Sequence, residues 1–251
     1  MDERVAIVTG ATSGIGAATA RLLAGRGLDV ALVARRRDRL DQLGREITES
    51  GGKAFGVGAD LARPTAPEEV VRAVLEARGR LDVIVNNAAS FRLRIVDDAA
   101  LEEFDHDIAV NVRTPYFLVQ AALPALRASP AAVVVNVSSA AAVMYRRRQT
   151  IYGLTKAALE HLTMNMAAEL APDGIRVVCI RPGPVDTALH RAAGDAETRL
   201  RELGRLVPLG RVGRADEIAR WIGHLVDREA EWVTGTVLTV DGGRILGPAE
   251  R

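Results

Sequence analysis

The stretch Val5–Gly16, VAIVTGATSGIG, decides the fold. Its first part, Val5–Thr9, is a short apolar run closed by a glycine, which predicts a strand. The next part spaces glycines as G-x-x-x-G-x-G, at Gly10, Gly14 and Gly16. Gly10 allows a sharp turn, Gly14 lets backbone approach a pyrophosphate, and Gly16 lets the following helix pack closely on the strand. The helix N-terminus then offers unpaired N–H groups to phosphate oxygens. Thr12, Ser13 and Ile15 complete the expected phosphate-facing loop. A glycine-rich turn with no ligand is the plain alternative, and the position directly after the first strand favours a nucleotide.

Six further apolar runs resemble the first: DVALVA (29–34), AFGVGA (54–59), LDVIVN (81–86), AAVVVNVS (131–138), IRVVCI (175–180) and VLTVDG (237–242). They are rich in Val and Ile and barely alternate with polar residues, the mark of strands buried on both faces. Helical stretches such as 37–50 and 67–78 lie between them. Repeated β-then-α units predict an α/β fold, a doubly wound parallel sheet of about seven strands flanked by helices. No linker or repeat divides the 251 residues, so one domain spanning 1–251 is expected. The stretch from about 185 to 212 is less regular and is expected to be an excursion or lid over a site.

The end of the second strand should select the cofactor. An acidic residue there receives the adenosine ribose of NAD. Here Ala34 stands in that place, followed by Arg35, Arg36 and Arg37. Guanidinium groups suit a 2′-phosphate, and positive charge opposes the dipole at a helix start. NADP(H) is therefore expected over NAD.

The chain carries 33 Lys plus Arg but only two lysines, Lys53 and Lys156. Lys156 follows Tyr152 by four residues in a helical stretch, so the two share a helix face. A cation beside a phenol is expected to lower its pKa from about 10 and fit it for proton transfer. Ser139, thirteen residues before Tyr152, ends the fifth run, at the sheet edge where open α/β sheets bind ligands. Ser138 should point elsewhere. Pro115 has no N–H for the carbonyl of Asn111 four residues earlier, which makes Asn111 a good place to hold a water.

Composition narrows the classes. A net charge of +1, with 48% hydrophobic and 26% charged residues, suits a globular protein and implies no nucleic-acid partner. No run is long enough for a membrane span and no secretory signal is visible, so a cytoplasmic location is expected. The single cysteine, Cys179, sits in an apolar run and reads as a buried thiol. No metal site is expected.

Together, TGATSGIG, NNAA at 86–89, Asn111, Ser139, YGLTK, RPGPVDT at 181–187 and VTGTVLTVDGG resemble the short-chain dehydrogenase/reductase family over nearly the whole chain. The bacterial ketoreductase branch, such as 3-oxoacyl-acyl-carrier-protein reductases, looks most similar. The resemblance implies a Rossmann-type fold and a catalytic tetrad of Asn111, Ser139, Tyr152 and Lys156. Tyr152 would protonate a carbonyl oxygen as the nicotinamide gives hydride to carbon. Ser139 would orient the carbonyl, Lys156 would hold the nicotinamide ribose, and Asn111 would position a relay water. Asp60 and Leu61 would touch adenine. Asn87, Ala88 and Ala89 would line the adenosine ribose, and Pro182, Gly183, Val185 and Thr187 would flank the nicotinamide. The resemblance also implies a homotetramer or homodimer, built through the helices holding Asn111 and Tyr152.

Three departures stand out: Ala89 and Ala142 occupy positions where the family often has glycine, and YRRRQ at 145–149 faces the substrate side. The arginines Arg146–Arg148 would suit an acidic or phosphate-bearing substrate; a solvated loop is the alternative. The leading reading is an NADPH-dependent reductase of a small-molecule ketone. Acyl thioesters, polyketides or other cyclic ketones, steroids and sugars remain open as substrates. A non-catalytic NADP-binding regulator and an NAD-dependent alcohol dehydrogenase are the alternatives.

Overall fold

The computed structural model describes residues 3–187 and 196–247. Seven parallel strands form one sheet: β1 (Val5–Thr9), β2 (Asp29–Ala34), β3 (Lys53–Gly58), β4 (Val83–Asn86), β5 (Val133–Val137), β6 (Arg176–Pro182) and, last in the chain, β9 (Val237–Val240). Their spatial order is β3-β2-β1-β4-β5-β6-β9. Each expected strand is present, with ends moved by one or two residues where ladder pairing starts or stops. A two-residue pair, β7 (Val185–Asp186) with β8 (Gly213–Arg214), stands apart.

Alternate side chains of the strands enter two separate cores, which is why the sequence runs do not alternate. Ala6, Val8, Val30, Leu32, Val133 and Val135 pack on one face, against α1 (Gly14–Gly25), α2 (Arg37–Glu49) and α8 (Ala215–Val226). Val5, Ile7, Ala31, Val33, Ile84 and Val134 pack on the other, against α3 (Ala66–Arg78), α5 (Thr114–Ala128) and α6 (Thr150–Leu170). Each fully buried Val, Ile or Leu side chain contributes about 1.5–3 kcal/mol by leaving water. Local signals agree with the packing. α3 begins with Pro67 and two glutamates, buries Val70, Val71 and Val74, and stops at Gly79, whose φ is 69°.

Two stretches depart from expectation. The irregular excursion holds a helix, α7 (Ala196–Arg205), with β7 before it and β8 after it. Its sequence, AETRLRELGR, spaces Ala196, Leu200 and Leu203 for one helix face, an amphipathic spacing that the irregular reading overlooks. Residues 188–195 of the excursion, where the lid was expected, lie outside the described residues. The helix around Asn111 is broken in three: α4 (Leu101–Ile108), a π turn at Ala109–Arg113, and α5. The amide of Thr114 reaches the carbonyl of Ala109 five residues back. The helix accommodates Pro115 through one extra residue in the turn before it.

Candidate functional site

Strand order reverses between β1 and β4, and a crevice opens there at the carboxyl ends of the strands. A cleft of about 870 Å³ fills it and continues past β5 and β6. Every residue expected at the site lines this cleft except Gly16 and Asn111.

The phosphate loop forms the floor. Gly10 has φ 65°, and a side chain there would meet the backbone of Ala88 and the Asn87 amide at 2.9 Å. Gly14 has φ 54° and lies under Thr187. A Cβ on Gly16 would collide with the Asn87 amide and the Gly10 carbonyl, so Gly16 admits the neighbouring loop more than the strand. Asn87 donates to the carbonyls of Thr9 at 2.8 Å and Gly10 at 3.3 Å. The Thr9 hydroxyl accepts from the amides of Asn87 and Ala88, both at 3.0 Å. Asn87 is thus a strut between two loops, and Ala88 and Ala89 present the wall beside it. Ser13 precedes α1 without capping it, and the first turn has no acidic residue. That helix end faces the cleft through Ser13, Gly14 and Ile15 with its positive dipole uncompensated.

At the end beside β2, Arg35 and Arg36 are exposed and line the cleft beside Ala34. Arg36 reaches Thr12 at 3.4 Å. Arg37 folds back over Gly58 and does not line the cleft. Asp60 and Leu61 close this end, with the Asp60 carboxylate accepting from the amide of Ala62.

At the other end, Ser139, Tyr152 and Lys156 meet. Ser139 starts a short 3-10 turn, its hydroxyl accepting from the amide of Ala141 at 3.2 Å. It also faces Tyr152 and acts to hold the phenol's pKa down. The Phe91 ring stands at 86° to Tyr152, with centroids 4.8 Å apart. Lys156 donates to the Val137 carbonyl at 2.7 Å and lies 5.7 Å from the centre of the Tyr152 ring. The sequence expectation of a lowered Tyr152 pKa is overturned. Burial pushes the phenol up to about 12, only partly offset by Ser139. The neighbouring cation bears the mirror effect: burial brings Lys156 down to about 8, against the pull of the Glu160 carboxylate.

Asn111 is buried and its amide does not reach the cleft. Its side-chain oxygen accepts from the Ser90 amide at 2.7 Å. Its Nδ2 donates to the Ser90 carbonyl at 2.8 Å and to the Thr155 hydroxyl at 3.0 Å. It ties the loop after β4 to the helix of Tyr152 and Lys156. Ser138 also lines the cleft, but its hydroxyl is spent on Glu160, to which it donates at 2.7 Å. Glu160 takes the Arg181 guanidinium with both oxygens, at 2.8 and 2.6 Å.

Sequence reasoning missed Phe91, Arg92, His106 and Val110, which also line the cleft. They sit in the loop after β4 and on the broken helix, where no motif marks them. Pro182, Gly183, Val185 and Thr187 line the cleft as expected, with Gly183 pressed against Asp241.

Residues 10–244 match a family profile described as enoyl-acyl-carrier-protein reductase. An L-rhamnose 1-dehydrogenase (NAD(P)(+)) of Azotobacter vinelandii is 37% identical over 247 residues, 96% of each chain. A 3-oxoacyl-acyl-carrier-protein reductase of Thermotoga maritima is 33% identical over 246 residues, covering 98% of this chain and 99% of the relative. The crystal structure of a short-chain dehydrogenase from Burkholderia cenocepacia in complex with NADP superposes with a TM-score of 0.89 at 36% identity, over 96% of this chain and 97% of that one.

Proposed function

The chain belongs to the short-chain dehydrogenase/reductase family of oxidoreductases, and from that premise we infer that it reduces a ketone to a secondary alcohol with NADPH. The observation that carries the reading is the meeting of Ser139, Tyr152 and buried Lys156 at one end of a cleft whose other end holds the glycine-rich loop. The chain's own residues fit a dinucleotide. Gly10 and Gly16 let the loop close against Asn87 and Ala88, and the open end of α1 suits a pyrophosphate. Arg35 and Arg36, with Ala34 in the acidic position, suit a 2′-phosphate. Asp60, Leu61, Asn87, Ala88 and Ala89 are the proposed adenosine contacts, and Pro182, Gly183, Val185 and Thr187 the nicotinamide contacts.

When bound, NADPH supplies the hydride. The residues do the rest. Ser139 holds the carbonyl oxygen next to Tyr152. Tyr152, raised to about 12, keeps its proton at neutral pH and donates it to that oxygen as the carbon is reduced. Lys156, at about 8, sits near the operating pH and can return a proton to Tyr152. The Asn111 carbonyl, denied a donor at Pro115, is the proposed seat of the relay water.

Acyl thioesters, polyketides, steroids and sugars are the substrate classes to try. Self-association through α4, α5 and α6 is supported by exposed Leu101, Phe104, Phe117 and Leu154 on those helices. Among the described residues no helix is long and apolar enough to cross a membrane. The reading is tested by NADPH consumption over a panel of these ketones, with Tyr152→Phe in parallel. Tyr152-dependent turnover supports it. Tight NADPH binding with no turnover on any ketone would favour the regulator.

A further inference from the structure

Three arginines on the substrate side are already engaged. Arg92 pairs with Asp107 and Ser90, and Arg94 grips Glu103 with two hydrogen bonds of 2.8 Å. Arg181 is held by Glu160. Two arginines differ. Arg146 and Arg244 are each half-buried, and neither has a carboxylate within ion-pair reach among the described residues. The Nε of Arg244 is fully buried with no hydrogen-bond partner. The charge nearest Arg146 in effect is that of Arg244 itself, and together with burial it disfavours the Arg146 cation. Asp241, three residues before Arg244, is spent on the amides of Gly243 and Ile245, both at 2.8 Å. Two desolvated like charges without a counterion are unfavourable as they stand.

Both residues follow the carboxyl ends of sheet strands, the side on which the cleft opens, and lie beyond its lining. Arg146 lies between Ser139 and Tyr152 in the chain, on the link from β5 to α6. Arg244 follows β9, which pairs with β6, the neighbour of β5. The turn before Arg244 packs on Val207 and Pro208, where the excursion after β7 returns. The Arg146 segment is held in shape. The amide of Gln149 donates to the Arg146 carbonyl at 3.2 Å, and that of Arg94 to the Arg148 carbonyl at 3.0 Å. Arg148 has φ 68°, the left-handed value at a non-glycine residue. A loop that only displayed charge to water would not need that conformation. Arg147 and Arg148 are exposed and serve as its solvated face.

We infer that Arg146 and Arg244 form a seat for an anionic group, a carboxylate or a phosphate monoester, carried by the ketone substrate. This rests on the reductase reading above and narrows its substrate class. Two guanidinium forks offer parallel N–H donors to the oxygens of such a group. The anion supplies the missing counterion, and the buried Nε gains a partner when the side chain closes on it.

The experiment uses matched probes and the NADPH complex of the full chain. Levulinate is compared with its methyl ester, and dihydroxyacetone phosphate with dihydroxyacetone. Binding is read from the fluorescence of bound NADPH, and turnover from its oxidation. The expected result is anion affinity about 10- to 100-fold above that of the neutral twin, the range for charge-assisted hydrogen bonds. In Arg146→Gln/Arg244→Gln that preference falls to about 1 while NADPH affinity and the neutral probes are unchanged. Arg146→Lys/Arg244→Lys, which keeps charge and solubility, restores part of it. The arm with the larger loss identifies carboxylate or phosphate. Equal binding of anion and neutral twin, no binding of either anion, or an anion preference that survives the Gln variant overturns the seat. Absence of Tyr152-dependent turnover, with the anion preference present and lost in the variant, overturns the reductase reading and leaves the seat standing.

Discussion

Lys156 gives its ammonium to the carbonyl of Val137 at 2.7 Å, which ties the catalytic helix to the last residue of β5. The same cation is buried, with its pKa brought from 10.5 to about 8. In that window the unfolded chain holds a proton that the folded chain has released, so stability rises with pH from about 8 to 10.5. Below it the buried charge costs about 2–3 kcal/mol. Lys156→Met is therefore expected to raise the thermal midpoint at pH 7 and flatten this pH dependence, while turnover is lost. Calorimetry without cofactor at pH 7 and 10 checks it; a lower midpoint at pH 7 would contradict the burial cost.

Tyr152→Phe keeps the ring against Phe91 and removes only the hydroxyl. Turnover is expected to drop about 10²- to 10⁴-fold, the worth of a general acid, with NADPH affinity nearly unchanged. Single-turnover kinetics and a cofactor titration read the two quantities separately. Retained turnover would remove Tyr152 from the mechanism.

In the reducing direction Tyr152 is protonated throughout the neutral range, whereas Lys156 loses its charge near pH 8. The rate should be level below about pH 8 and fall above it. Glu160 raises the Lys156 pKa, so Glu160→Gln should move the falling limb to lower pH. A limb that stays in place shows that another group controls it.

Glu160→Gln also strands the Arg181 guanidinium, which is 15% exposed in its side chain. Removing one partner of such a pair is expected to cost about 3 kcal/mol, discounted for this partial exposure. Adding Arg181→Met should recover much of the loss. Urea unfolding of the single and double variants measures both.

Arg35→Ala/Arg36→Ala should weaken NADPH at least about 10-fold more than NADH, since only the former carries the 2′-phosphate that these cleft-lining residues are proposed to hold. Equal weakening would assign the arginines to general electrostatics.

The architecture was legible because both faces of each strand are buried, and burial on both faces leaves an uninterrupted run of Val and Ile. β7 and β8 were not, since two residues have no period. The phosphate loop and the Ser139, Tyr152, Lys156 group were legible from spacing, and the cleft brings them together. Asn111 was placed correctly in the chain, but its amide serves Ser90 and Thr155, partners that lie 21 and 44 residues away. Phe91 and His106 carried no signal because the loop holding one and the helix holding the other meet only in three dimensions. The Tyr152 shift was read with the wrong sign. Spacing reveals a nearby cation, but the desolvation that outweighs it belongs to the packed state.

The two lysines have a practical meaning for chemistry done to the protein. Lys156 is 2% exposed, whereas Lys53 is exposed at the first residue of β3, at the amino ends of the strands and so on the far side of the sheet from the cleft. A succinimidyl ester or aldehyde resin therefore finds one lysine amine to couple. Attachment through Lys53 presents the cleft outward to solution.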